Sequence, residues 1–236
     1  MKILFVTIQI IIVTSLSSFA QSNRADQYDE RLIPIDHNVD VTHMTLHVSF
    51  EPKKGKVIGY VNIDFTVLQS KIDSLFLDAP GIKIKNIKMG LSELNYKKSD
   101  DGMTIYFANS LTRDIDYSIT IFYESFPRKG LYFVGWDNQN NLSRKQIWTQ
   151  GQGIDNRYWI PYYNNINDKL TTELFIEFDN AFQVLSNGDF ISKKKVNINT
   201  DRWHYKAREP HSFYLIMLRI GKYSIKEDAS KNGVLR

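Results

Sequence analysis

The sequence predicts an all-β protein, a sandwich or barrel of short strands, on three observations. Met44, Leu46, Val48 and Phe50 alternate with His43, Thr45, His47 and Ser49, and a period of two places the two sets on opposite faces of an extended chain. Runs of the same kind, rich in β-branched and aromatic residues, recur between turn-forming residues. No long stretch carries apolar residues at the 3.6-residue spacing of a helix.

The elements follow in order. The alternation begins at Val39, and a turn over Glu51 to Gly55, marked by Pro52 and Gly55, leads into a second strand from Val57 to Leu68. The two predict a hairpin. Ser74–Leu77 is a short strand, and Ile82–Met89 is another, with Ile82, Ile84 and Ile87 inward. Asp100-Asp101-Gly102 is a turn before Met103–Ala108, and Pro127 to Gly130 ends the alternation of Tyr117–Tyr123. Leu131–Val134, Thr171–Phe178, Gln183–Leu185, Asp201–Ala207 and Ser212–Ile220 complete the set. Such spacing belongs to sandwiches and barrels, not to α/β folds.

The 236 residues suffice for one large β domain, and 42% apolar content with 13 Tyr and 14 Phe supplies a core. Formal net charge is +4, with lysines mostly scattered singly apart from Lys53-Lys54 and Lys193-Lys194-Lys195. No basic stripe is visible, so the charge is read as solubility and not as nucleic-acid binding. There are no cysteines, which excludes a disulfide framework, thiolate nucleophiles and Cys-containing zinc sites.

Residues 1–20 have the pattern of a secretory signal peptide. Lys2 gives a positive start, Ile3 to Thr14 is mostly apolar, and Ser18 and Ala20 precede a cut before Gln21. The run is too short for a stable membrane span. The expected location is therefore periplasmic or extracellular. Residues 21–38 form a polar, flexible lead-in, residues 39–226 the domain, and residues 227–236 the start of a connector.

Among the five histidines, none is followed by Glu, so the H-E-x-x-H zinc helix is absent from this sequence. His43 and His47 share one face of a strand about 13 Å apart, too far for one metal, and are expected to be exposed. His204 and His211 fall on neighbouring predicted strands, and a metal there would need a third ligand such as Glu209. The expectation is structural hydrogen bonding. No G-x-S-x-G elbow or P-loop occurs. Asn141-Leu142-Ser143 is a single glycosylation sequon.

The densest unusual segment is Gln146 to Leu174, where aromatics mix with amides and charges. Such a stretch suits a loop-rich surface on which rings shape a pocket and amides orient a ligand. It equally suits an irregular crossover between sheets with buried Trp and Tyr.

Within it, Trp148-Thr149-Gln150-Gly151-Gln152-Gly153-Ile154-Asp155-Asn156-Arg157-Tyr158-Trp159-Ile160-Pro161, continuing to Asp168-Lys169-Leu170-Thr171, resembles the amino-terminal domain of the M1 zinc aminopeptidases. Val41–Leu68 is similar to that domain's opening hairpin, Gly130–Gly135 to its mid-domain strand, and Val184–Gly188 and Pro210–Tyr223 to its later strands. The resemblance spans about residues 39 to 234. It implies a saddle-shaped β-sandwich packed on a separate catalytic domain. It also implies that Gln150 and Gln152, the positions of the family's Gln-x-Glu/Gln, hold the free amino end of a peptide while Arg157, Tyr158 and Trp159 shape the loop. Amide oxygens accept hydrogen bonds from an ammonium group, though Gln152 lacks the charge of the Glu that many relatives carry. Asn164-Asn165-Ile166 departs from the family's Asp-x-Pro and implies a looser turn there. The zinc of the complete enzyme is held outside this domain, so no cofactor is expected in this chain.

The sequence therefore predicts a non-catalytic N-terminal domain of an exported M1-like metallo-aminopeptidase, inactive alone. Its expected partners are a peptide's amino terminus, bound weakly, and an M1 catalytic domain. The alternative is an independent ligand-binding or adhesion sandwich that has lost any peptidase role.

Overall fold

A computed structural model describes residues 37–137 and 144–224. The expected signal peptide, nearly all of the lead-in, the sequon at Asn141 and the connector lie outside these residues. β1 (Val39–Glu51) turns through a 3-10 turn at Pro52–Lys54 into β2 (Lys56–Val67), and the two pair antiparallel as the predicted hairpin. Next come β3 (Lys71–Asp78), β4 (Lys83–Met89), β5 (Ser92–Glu93), β6 (Asn95–Lys98), β7 (Gly102–Thr112), β8 (Asp116–Ser125), β9 (Gly130–Val134) and β10 (Gln146–Gln150). β11 (Lys169–Asp179), β12 (Gln183–Ser186), β13 (Asp189–Lys195), β14 (Thr200–Ser212) and β15 (Leu218–Gly221) follow. The described helical structure is confined to short 3-10 turns, as the missing 3.6-residue period requires.

The strands form an eight-stranded sheet in the order β13-β14-β11-β1-β2-β8-β4-β5, a four-stranded sheet β12-β15-β10-β9 and a three-stranded sheet β3-β7-β6. The architecture is all-β. Met44, Leu46 and Val48 of β1, Leu174 and Ile176 of β11, Leu75 and Ile105 of the three-stranded sheet, and Ile147 and Ile220 of the four-stranded sheet belong to one buried cluster. The alternation read in the sequence is thus the inner face of the large sheet, covered by both smaller ones. Ile82, Ile84 and Ile87 are buried as expected.

The other face of the large sheet carries a row of rings. Phe122, Tyr60, His47, Phe175 and His204 occupy facing positions on β8, β2, β1, β11 and β14. Successive ring centres are 5.3, 4.3, 4.3 and 4.2 Å apart. Cross-strand ring pairs of this kind stabilise a sheet. His47 within this row and His43 beside Thr171 are half-buried, not exposed as the alternation alone implied. His43 Nδ1 lies 2.7 Å from Thr171 Oγ1, and Glu173 lies 2.5 Å from His204 Nε2 and 3.2 Å from Lys206 Nζ.

Several boundaries differ from those the sequence predicts. His204 and His211 lie on one strand, β14, because that strand runs on past Pro210. Pro210 falls where β14 is out of register with β11, opposite Thr171, a place where its missing N–H costs no ladder bond. β10 was hidden because only Ile147 of its five residues is buried. β13 was hidden because it is an edge strand with neither face covered, so no alternation marks it. The short β5 and β6 are largely exposed.

Asp168 fastens the start of β1 to the approach to β11. Only 4% exposed, it accepts a hydrogen bond from the Val41 N–H at Oδ1, 3.3 Å, while Oδ2 has no partner. Burial raises its pKa to about 7, with the charge of Asp40 adding to the rise. In the ring row, burial, aided by the charge of Arg202, lowers the pKa of His47 to about 4.

The two groups act on stability with opposite sign. Folded Asp168 holds a proton that the unfolded carboxyl releases near 3.8, so its contribution falls as pH rises from about 4 to about 7. Folded His47 excludes a proton that the unfolded ring binds below 6.5, so its contribution is lost as pH falls from 6.5 towards 4. Urea denaturation across this range should show Asp168→Asn abolishing the decline near neutral pH, and His47→Phe abolishing the decline on the acid side. Unchanged pH slopes in the variants would refute these assignments.

Candidate functional site

Gln150 ends β10, opposite Gly130 of β9. Its exposed side chain lies beside that of Gln152, with Nε2 3.5 Å from Gln152 Oε1. The two glutamines therefore stand together at the open end of a strand. The buried Gly151 between them packs against the Asn156 side chain so closely that an added Cβ would lie 2.4 Å from Nδ2.

Asn156 is the centre of the loop. It is fully buried. Its Nδ2 donates to the carbonyls of Phe213 at 3.0 Å and Ile216 at 3.2 Å, and its Oδ1 accepts from Trp159 Nε1 at 2.9 Å. One side chain thus ties the 3-10 turn Asp155–Tyr158 to the 3-10 turn Phe213–Leu215 and satisfies the indole of the equally buried Trp159. Gly130, at φ 77°, lets the backbone of Asp155 approach, since a Cβ there would meet the Asp155 carbonyl oxygen at 2.1 Å.

A second tie comes from Arg157, whose Nη1 donates to Asp78 Oδ1 at 2.9 Å. The backbones of Asp78 and Tyr162 exchange two hydrogen bonds of 2.9 and 3.0 Å. Burial raises the Asp78 pKa despite the opposing pull of Arg157. Tyr158 is half-buried between cations, with the Arg157 guanidinium 5.4 Å and Lys129 Nζ 5.8 Å from its ring centre. Tyr162 stacks on Phe213 at 4.0 Å. The turn at Asn164-Asn165-Ile166 is closed by its own bonds: the Asn167 N–H donates to Asn165 Oδ1 at 2.9 Å and the Asp168 N–H to the Asn165 carbonyl at 3.2 Å. The missing proline therefore leaves no open turn.

The structure thus brings Gln150 and Gln152 together on the surface, while Arg157 and Trp159 tie the following turn to Asp78 and Asn156 and Tyr158 packs against Arg157 and Lys129. Sequence reasoning missed Asn156 and Asp78. Their types are common in polar segments, and apart from the Asn156–Trp159 bond their side-chain partners lie 57 to 79 residues away, so local spacing does not mark them.

Chemically, two neutral amides present carbonyl oxygens to a hydrogen-bond donor such as an ammonium group. A zinc centre does not fit these residues. The sequence has no H-E-x-x-H, and among the described residues no group of three His, Asp or Glu side chains is placed to share a metal. An open groove of about 360 Å³, lined by Phe50, Trp136, Phe178 and Phe182 among others, shares no residue with the loop.

Residues 26–215 match the model of the peptidase M1 N-terminal domain. The chain belongs to this family. A leucyl aminopeptidase from Saccharolobus solfataricus is 22% identical over 198 residues, which is 82% of this chain but 23% of the aminopeptidase. An M1 zinc metallopeptidase from Deinococcus radiodurans, solved as a mutant bound to a Tyr-Ser-Ala substrate, superimposes with a TM-score of 0.67 at 14% identity, covering 78% of this chain and 43% of that one. A two-domain M1 zinc metallopeptidase bound to L-tryptophan gives 0.68 at 14% identity, with the same coverage. At such identity the superposition speaks for the fold. The chain spans well under half the length of these relatives.

In this M1 N-terminal domain the loop's geometry rests on Asn156. Asn156→Ala strands the Trp159 N–H and two carbonyls in the interior, and a loss of about 2–4 kcal/mol is expected. Gly151→Ala should also destabilise, because its methyl group has no room beside Asn156. Urea denaturation checks both, and a change below about 0.5 kcal/mol in either would contradict this account.

Proposed function

We propose that this M1 N-terminal domain serves as the non-catalytic part of an exported zinc aminopeptidase, holding the free amino end of the peptide through Gln150 and Gln152. The observation that carries the reading is the proximity of these two exposed amides where β10 enters a loop braced by Asn156 and by the Asp78–Arg157 ion pair. An ammonium group donates hydrogen bonds and both side chains offer acceptors. Because neither is charged, binding by the domain alone is weak, and selectivity for a free amino end comes from donor geometry.

The hydrolytic zinc and its ligands come from a catalytic domain on which this domain docks. Two exposed apolar side chains support such docking: Ile154 in the loop and Leu215 on the 3-10 turn that Asn156 grips. Export rests on the leader at residues 1–20. Among the described residues no helix is long and apolar enough to cross a membrane.

Two measurements test the proposal. Titration of the isotope-labelled chain with a short peptide should shift the side-chain amide resonances of Gln150 and Gln152, whereas the same peptide with an acetylated amino end should not. Replacing both glutamines by Ala should weaken binding about five- to tenfold; equal binding of free and acetylated peptides would overturn the role. Separately, the purified chain should release no amino acid from chromogenic aminoacyl amides. Chelator-sensitive turnover in a clean preparation would contradict the non-catalytic assignment.

A further inference from the structure

The β13–β14 hairpin concentrates features that the amino-end reading leaves unused. The hairpin, residues 189–212, contains six Lys and Arg against two Asp and one Glu, an excess of three within a formal net charge of +4 for the whole chain. Most of the excess charge therefore falls on one hairpin at the edge of the large sheet. Lys193 pairs with Asp201, Arg202 with Glu177, Lys206 with Glu173 and Arg208 with Asp189. Lys194 and Lys195, which lead into the hairpin tip, have no ion-pair partner among the described residues.

The same hairpin exposes Phe190, Ile191, Val196 and Ile198. Ile198, at the tip, is 78% exposed. Its exposure does not come from a loose turn. The Val196 and Asn197 N–H groups both donate to the Thr200 carbonyl, the Asn199 N–H donates to Asn197 Oδ1, and Asn180 bonds the carbonyls of both Ile198 and Asn199. The backbone is braced while the aliphatic side chain stands in water. Lysines on an edge strand guard against strand-to-strand aggregation. That explains Lys193 to Lys195 but not an aliphatic residue held out at the turn beyond them.

We propose that the β13–β14 hairpin is a peripheral contact for an anionic lipid surface, with Val196 and Ile198 entering the headgroup boundary and Lys194 and Lys195 meeting lipid phosphates. Basic residues next to exposed aliphatic ones are attracted to anionic bilayers, and the apolar contact and the charge reinforce each other. An acidic polypeptide fits less well, because it would satisfy the lysines and leave the braced aliphatic tip in water. Contact of this kind holds a folded domain at a membrane face.

The absence of cysteine from the chain makes the test site-specific. Ile198→Cys carries a single environment-sensitive fluorophore. Leu91→Cys, fully exposed on the β4–β5 turn, carries the same label as a control. With mixed phosphatidylglycerol–phosphatidylcholine vesicles, the label at position 198 should brighten and shift to the blue, while the label at position 91 stays unchanged. Pure phosphatidylcholine vesicles should give little response. Adding Lys194→Glu and Lys195→Glu to the Ile198→Cys chain should raise the lipid concentration needed by about tenfold or more. No shift at position 198 would overturn the proposal, as would equal shifts at both positions. A response to soluble polyglutamate matching that to vesicles would replace the bilayer with an acidic polypeptide partner. All labelled forms should keep the urea midpoint of the unlabelled chain, and a reading at either position counts only when they do.

Discussion

The parallel pairing of β1 with β11, from His43 opposite Thr171 to Ser49 opposite Glu177, sets the course of the rest of the chain. Parallel neighbours cannot be joined by a tight turn. After β8 the chain lies on the far side of β2 and must pass both β2 and β1 before β11 can form. The passage is made by residues 126–168, which build β9, β10 and the glutamine loop on the way. The loop is thus the route by which the sheet is completed, and its position over the domain follows from the sheet's topology.

That route is held by buried polar groups in a protein that has no disulfides to hold it. Asn156 grips two carbonyls and an indole, Arg157 pairs with Asp78, and Asp168 fastens the strand that ends the crossover to the strand that began the sheet. Each replaces hydration with a protein partner, which is the condition for placing polar groups inside a fold. Arg157 and Asp168 meet the condition only in part, since Arg157 Nε and Asp168 Oδ2 are unpartnered. Burial keeps Asp168 neutral over a wider pH range than an exposed carboxyl. The same logic keeps His47 uncharged between two rings on the opposite face of the sheet.

These ties explain why two exposed glutamines stand side by side. On a free loop they would sample many positions. Next to Gly151 and Asn156, which pin the chain, they have less left to order in any contact they make.

The sequence by itself determined the all-β class, the opening hairpin, the inward set from Met44 to Ile87 and the family, because a two-residue period and a dense motif are local properties. It also grouped Gln150, Gln152 and Arg157 in one unusual segment. Only the tertiary structure decided that β14 runs through Pro210, that β10 and β13 are strands, and that His47 and His204 stack in a ring row across the sheet. The same holds for Asn156 and Asp78 as supports of the loop. The physical reason is common to all of these: an edge strand has no covered face to imprint a pattern, and a buried amide or carboxylate is defined by partners tens of residues away that no local spacing reveals.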